Sequence, residues 1–99
     1  MIFDEIDRGV GGAVASAIGE RLHRLAERSQ LLVVTHSPQV AARGVQHLLI
    51  EKSNDGLVTR TSVQGLDPTR RREEIARMLS GAEVTEEARA QATRLLEAA

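Results

Sequence analysis

The chain has 99 residues, 41% hydrophobic and 27% charged, with one aromatic residue, Phe3, and no cysteine. Its 13 basic and 14 acidic residues leave a net charge of −1, and the absence of cysteine excludes a disulfide framework, a thiolate zinc site and cysteine nucleophile chemistry. No apolar run approaches a membrane span, and Asp4, Glu5 and Asp7 stand where a secretory signal would carry positive charge, so a soluble cytoplasmic protein is expected.

A chain this short buries little more than ~60% of its unfolded surface. Without Trp or Tyr its core must be built from Leu, Val, Ile and Ala. The apolar run Met1-Ile2-Phe3 stops at Asp4-Glu5-Ile6-Asp7 and reads as a buried strand that delivers carboxylates at its C-terminal end. Gly9, Gly11 and Gly12 make the next stretch a turn. Val14, Ala17, Ile18, Leu22 and Leu25 then recur at helical spacing, which predicts an amphipathic helix from Gly12 to about Arg28 with one buried face.

Leu31-Leu32-Val33-Val34-Thr35 is a short β-branched run, hence an interior strand, and it ends at His36. Ser37-Pro38 supplies a helix cap and an N1 proline, and Gly44 a stop. A hairpin at about 47–63 is expected around Ser53-Asn54-Asp55-Gly56, whose Asp-Gly pair accepts positive φ. Asp67-Pro68 opens a helix at about 68–80 with Ile75, Met78 and Leu79 on its apolar stripe, closed by Gly81. Thr85 with Glu86 and Glu87 opens the last, at about 86–97, with Ala88, Ala92, Leu95, Leu96 and Ala99 apolar. No repeat or long linker interrupts residues 1–99, which read as one α/β unit.

The chemistry concentrates at two strand ends. An apolar strand ending in Asp-Glu suits nucleotide hydrolysis, where one carboxylate holds a Mg²⁺-bound water and the next polarises the attacking water. In a parallel α/β sheet, ligands bind at the carboxyl ends of strands. Asp4-Glu5 and His36 would then lie side by side. There His36 can donate to a phosphate oxygen or position the attacking water. His23, on the polar side of its helix, and His47, entering the hairpin, read as structural. Arg70-Arg71-Arg72 can reach phosphates, but adjacent Glu73 and Glu74 favour a solvated helix start. Six Arg against seven acids from Asp67 onward form no basic tail.

Met1-Ile2-Phe3-Asp4-Glu5 resembles the Walker B strand of the ABC/SMC ATPase superfamily, Asp7 to Gly12 its D-loop, and Val34-Thr35-His36 its switch-histidine strand. The strings FDEIDRGVGGAVASAIGERL, VVTHSPQVAARG and REEIARMLSGAEVTEEA are similar, in order and over essentially the whole chain, to the C-terminal part of the RecN family of SMC-like ATPases in double-strand-break repair and recombination. The resemblance implies the C-terminal lobe of a P-loop NTPase head, a partial parallel sheet with flanking helices plus a β-hairpin. It implies Asp4 serving Mg²⁺ through water, Glu5 as general base, His36 as γ-phosphate sensor, and Asp7, Gly11 and Gly12 in a D-loop that meets a second head. ATP and Mg²⁺ are the implied cofactors. The implied partners are the rest of the head, a second head as homodimer, and DNA through the full-length protein at the nucleoid.

The sequence departs from a complete family member. It holds no GxxxxGK[ST] phosphate loop, no coiled-coil heptads and no ABC signature. Without the loop, Glu5 lacks the cradle that positions a substrate, so a C-terminal fragment, inactive in isolation, is expected. Two other readings stand beside it. One is a free-standing non-catalytic interaction module or relic, burying an exposed strand edge against a partner. The other is a small phosphate-handling domain with Asp4, Glu5 and Asp7 as a Mg²⁺ carboxylate cluster.

Overall fold

A computed structural model describes residues 1–81 and 83–98. Its elements are β1 (Ile2–Asp4), α1 (Gly12–Ala26), β2 (Leu32–Val34), α2 (Pro38–Ala41), β3 (Leu48–Asp55), β4 (Val58–Gly65), α3 (Pro68–Ser80) and α4 (Glu86–Ala98). Together they make a mixed α/β arrangement of two small sheets and four helices. Ala99, expected on the apolar face of the last helix, lies outside the described residues.

β1 and β2 pair in parallel, Ile2 with Leu32, Phe3 with Val33 and Asp4 with Val34. One face of this pair is covered: Phe3 and Val33 pack with Ile18 and Leu31 against Ala15, Leu22 and Val40. The other face is bare, with Ile2 73% and Leu32 51% exposed. The expectation of buried strands is therefore corrected to strands buried on one side. Alternate residues of a strand point to opposite faces, and the described residues place helices on one face only.

The buried stripe of α1 runs through Ala15, Gly19 and Leu22, while Val14, Ala17 and Leu25 are exposed. This rotates the face expected from periodicity. The reason is α2, whose backbone lies so close that a Cβ on Gly19 would stand 3.1 Å from the Gln39 carbonyl oxygen and 3.3 Å from Val40 Cα. Small residues admit that approach, and bulky ones nearby are turned out.

α2 is one turn long, capped by the Ser37 hydroxyl accepting from the Val40 amide, with Pro38 in the first turn. It joins two apolar clusters. Val40 faces the first, and Ala42 belongs to a second with Ile75, Ala76, Ala88 and Ala92, flanked by Met78, Leu79, Leu95 and Leu96. α3 opens where the Asp67 carboxylate accepts from the Arg70 amide at 2.8 Å, and Gly81 closes it at φ 81°. α4 opens where the Thr85 hydroxyl accepts from the Ala88 amide at 3.1 Å.

The hairpin falls at 48–65, near the expected 47–63, but with longer strands and a shorter turn. β3 and β4 stay paired from Leu48 with Gly65 to Asp55 with Val58, around the two-residue turn Gly56-Leu57 with Gly56 at φ 69°. Ser53 and Asn54, expected in the turn, continue the ladder. Across it the Thr59 hydroxyl donates to the Asn54 side-chain oxygen at 2.8 Å.

Arg71 is not solvated as expected. A single guanidinium nitrogen, Nη2, lies within hydrogen-bond distance of the carbonyls of Ala41 at 3.0 Å, Ala42 at 3.2 Å and Gly44 at 2.5 Å and shares its two N–H groups among them, fastening α3 to the end of α2. The Ala41 carbonyl also accepts from the Gly44 amide at 3.2 Å, and the Arg71 contacts fall on carbonyls at and just past the end of the helix. Among the described residues no helix is long and apolar enough to cross a membrane.

Candidate functional site

The parallel pairing sets the carboxyl ends of β1 and β2 side by side, and the ladder runs one residue past β1: the Glu5 amide donates to the Val34 carbonyl at 2.8 Å. Glu5 then leaves the strand at φ 50°, the one positive φ outside glycine among the described residues. For a residue with a Cβ this left-handed conformation is strained. It turns the chain so that the Glu5 carboxylate meets the imidazole, with His36 Nε2 2.8 Å from Glu5 Oε1. Arg8 adds a looser contact, 3.8 Å from Glu5 Oε2.

Glu5 and His36 line an open cleft of about 400 Å³ together with Asp7, Gly9, Gly12, Ser37 and Gln39. Its floor is the glycine-rich turn, where Gly9 takes φ 79°, and it reaches the N-terminus of α1. That terminus has Gly11 as its cap and no side-chain cap bond. A carboxylate and an imidazole in contact at a wet cleft can hold a water molecule, take a proton from it and donate to an anionic oxygen.

The other expected residues are distributed differently. Asp4 is exposed and lies outside the cleft lining, because adjacent side chains of a strand point apart. Gly11 is likewise outside it, while Gly12 is inside. Asp7 is 7% exposed, and its carboxylate accepts a hydrogen bond from the Thr35 hydroxyl. Asp7, which the resemblance assigns to a D-loop, thus has its side chain bonded within its own chain. Among the described residues no group of three or more His, Cys, Asp or Glu is arranged to hold a metal ion. The carboxylate cluster of Asp4, Glu5 and Asp7 is accordingly not assembled.

Three residues with structural weight at this site escaped the sequence reading. Thr35 passed as an ordinary β-branched strand residue. Gly19 is an isolated glycine inside a helix, a pattern that signals close backbone approach. Gln39 accepts from the Ser37 hydroxyl at 3.0 Å beside the cleft. The remaining histidines are structural: His23 Nδ1 contacts the Arg43 carbonyl oxygen at 2.9 Å. His47 has a buried Nδ1 with no partner, and burial, seconded by the Arg71 charge and opposed by Glu74, pulls its pKa below the ordinary histidine value.

A comparison with protein-family models finds no match. Curated proteins do match. The chain is 55% identical over 98 residues to DNA repair protein RecN of Streptomyces coelicolor. It is 46% identical over 97 residues to RecN of Xylella fastidiosa and 44% over 99 residues to RecN of Halalkalibacterium halodurans. These alignments take in 98–100% of the chain, and the chain spans only 17–18% of the length of those relatives.

Proposed function

We infer that this chain, which matches the C-terminal region of DNA repair protein RecN along nearly its whole length, supplies one side of an ATP-hydrolysing site in a RecN-like protein of DNA repair. The observation that carries this reading is the Glu5–His36 contact of 2.8 Å at the carboxyl ends of two parallel strands. Ligands of α/β sheets bind at that edge, and a general base needs hydrogen-bond reach to a water it can deprotonate.

The residues fit one half of such a site. Mg²⁺ is commonly held by one or two protein carboxylates together with substrate phosphates, and exposed Asp4 is the carboxylate available for that through water. Bound ATP with Mg²⁺ would supply the phosphoanhydride and the charge neutralisation its cleavage needs. Glu5 takes the proton of the attacking water. His36 has one N–H in its neutral form, which bonds the Glu5 carboxylate in the free chain and can turn to a γ-phosphate oxygen when nucleotide is bound. Gly11, Gly12 and the turn around Asp7 form the surface toward a second head, and the bare Ile2/Leu32 face is where the rest of the head packs against the sheet.

The experiment grafts these 99 residues in place of the matching segment of Streptomyces coelicolor RecN. Glu5→Gln is expected to keep nucleotide binding while lowering turnover at least ~100-fold; undiminished hydrolysis overturns the reading. The uncovered Ile2/Leu32 face also favours a second reading, a non-catalytic interaction module. Calorimetry tests the module: micromolar binding of ATP with Mg²⁺ by the free chain contradicts it.

A further inference from the structure

Asp7 is the one buried charged residue among the described residues, and its position needs an account. A carboxylate drawn out of water requires donors in place of its hydration. Here the donor is the Thr35 hydroxyl, which reaches Asp7 Oδ2 across 28 positions of sequence. The same oxygen, Thr35 Oγ1, accepts from the Ser37 amide at 2.9 Å. The two bonds cooperate. With its proton committed to the carboxylate, the hydroxyl has its lone pairs free for the amide, and a hydroxyl is the group that can do both.

His36 sits between the two anchored residues. On one side Thr35 is tied to the glycine-rich turn through Asp7. On the other, Ser37 is tied back to Thr35 and caps α2 through its hydroxyl. The loop carrying the imidazole is therefore pinned at both ends through one oxygen atom, while the imidazole itself is 86% exposed and has Glu5 as its contact. An exposed side-chain contact by itself holds geometry weakly, so the pinning of the loop is what orients the ring.

We propose that Thr35 is a positioning residue for His36, holding the imidazole on Glu5 through its bond to Asp7. This deepens the catalytic reading above and rests on it for its functional consequence. It also gives Asp7 a task inside its own chain.

The first test uses the 99-residue chain with nitrogen-15-labelled histidine. The nuclear Overhauser contact between the His36 ring and the Glu5 side chain is expected in the parent chain and in Thr35→Ser. It is expected to vanish in Thr35→Val and in Asp7→Ala, with the amide spectrum otherwise dispersed. A contact kept in a folded Thr35→Val chain overturns the proposal. Should Thr35→Val unfold, Asp7→Ala decides: loss of the contact supports the proposal and its retention defeats it.

The second test uses the grafted RecN. There Thr35→Val is expected to lower kcat roughly tenfold with KM for ATP within about twofold, and Thr35→Ser to restore it. An equal rise in KM with kcat unchanged counts against positioning. If Glu5→Gln leaves hydrolysis intact, the catalytic reading fails alone, since the resonance test on the free chain still decides what Thr35 does to His36.

Discussion

The Glu5 amide bonds to the Val34 carbonyl at 2.8 Å as the last rung of a parallel ladder, while Glu5 itself is bent to φ 50°. One residue thus closes the sheet and breaks its direction. A non-glycine residue in this conformation carries about 1–2 kcal/mol of strain, and the strain sits where the carboxylate meets His36.

Glu5→Gly is accordingly expected to match or exceed the parent chain in stability, by up to ~1 kcal/mol, with the entropy of glycine offsetting part of the relief. Glu5→Val is expected to lose more than ~1 kcal/mol, since a β-branched residue resists positive φ. The contacts Glu5 gives up are with largely exposed Arg8 and His36 and do not mask the comparison. Urea unfolding of the three chains measures it, and a Val variant as stable as the parent contradicts the strain.

Gly19→Ala is expected to destabilise the chain by about 1–2 kcal/mol despite alanine's helix preference of ~1 kcal/mol over glycine. The added methyl would lie 3.0 Å from Arg43 Cγ and as near to two backbone atoms of α2. The arginine can move, but the backbone of α2 moves only by opening the helix contact. Thermal unfolding reads the loss, and a stabilised variant would show that α1 and α2 separate freely.

Arg71→Ala is expected to cost about 2–4 kcal/mol, because three carbonyls at the end of α2 lose a charged donor. Arg71→Lys is expected to recover part of the loss, since all three contacts are made by the one nitrogen Nη2 and an ammonium carries three donors on its single nitrogen. Chemical denaturation of both variants checks the order. An Arg71→Lys chain no more stable than Arg71→Ala contradicts the assignment.

His47 makes stability depend on pH with a definite sign. Burial lowers its pKa in the folded chain below the unfolded value of 6.5, so the unfolded state takes up the proton first as pH falls. Stability from this group is present above the unfolded pKa and declines as pH drops through 6.5 toward the lower folded pKa. Between about pH 7.5 and 5.5, His47→Gln is expected to lose less stability than the parent chain. An unchanged pH slope in that variant contradicts the assignment.

The two halves of the apolar inventory are expected to respond oppositely to truncation. Ile75→Ala empties a fully buried position among Ala42, Ala76, Ala88 and Ala92 and is expected to cost about 2–4 kcal/mol. Ile2→Ala removes a side chain that is mostly exposed and is expected to change stability by less than ~0.5 kcal/mol in the free chain. Equilibrium unfolding compares them, and a large loss from Ile2→Ala would mean the free chain already covers that face.

Local chemistry made much of the fold legible. Ser37-Pro38, Asp67-Pro68 and Thr85 each mark a helix start by supplying a cap oxygen or a preset φ, and in each case the bond needed spans three residues or fewer. Gly81 marks an end for the same local reason. The hairpin was legible in kind and place, but its turn is tighter than expected, since the number of paired residues depends on both strands together. Apolar periodicity on α1 found Ile18 and Leu22 on the covered side but misplaced Val14, Ala17 and Leu25, because only the packing neighbour selects the edge of the buried stripe.

The candidate site divides in the same way. From sequence alone come the residue types and their order: a carboxylate pair after one apolar run, a glycine-rich turn, a histidine after the next run, and helix boundaries set by neighbours in the chain. The tertiary structure decided which of these meet. Parallel pairing joined Glu5 to His36, the alternation of the strand sent Asp4 elsewhere, and a hydroxyl 28 residues away drew Asp7 inward. Bonds between distant positions depend on how strands register and helices pack, and the spacing of residues along the chain carries no record of that until the chain has closed on itself.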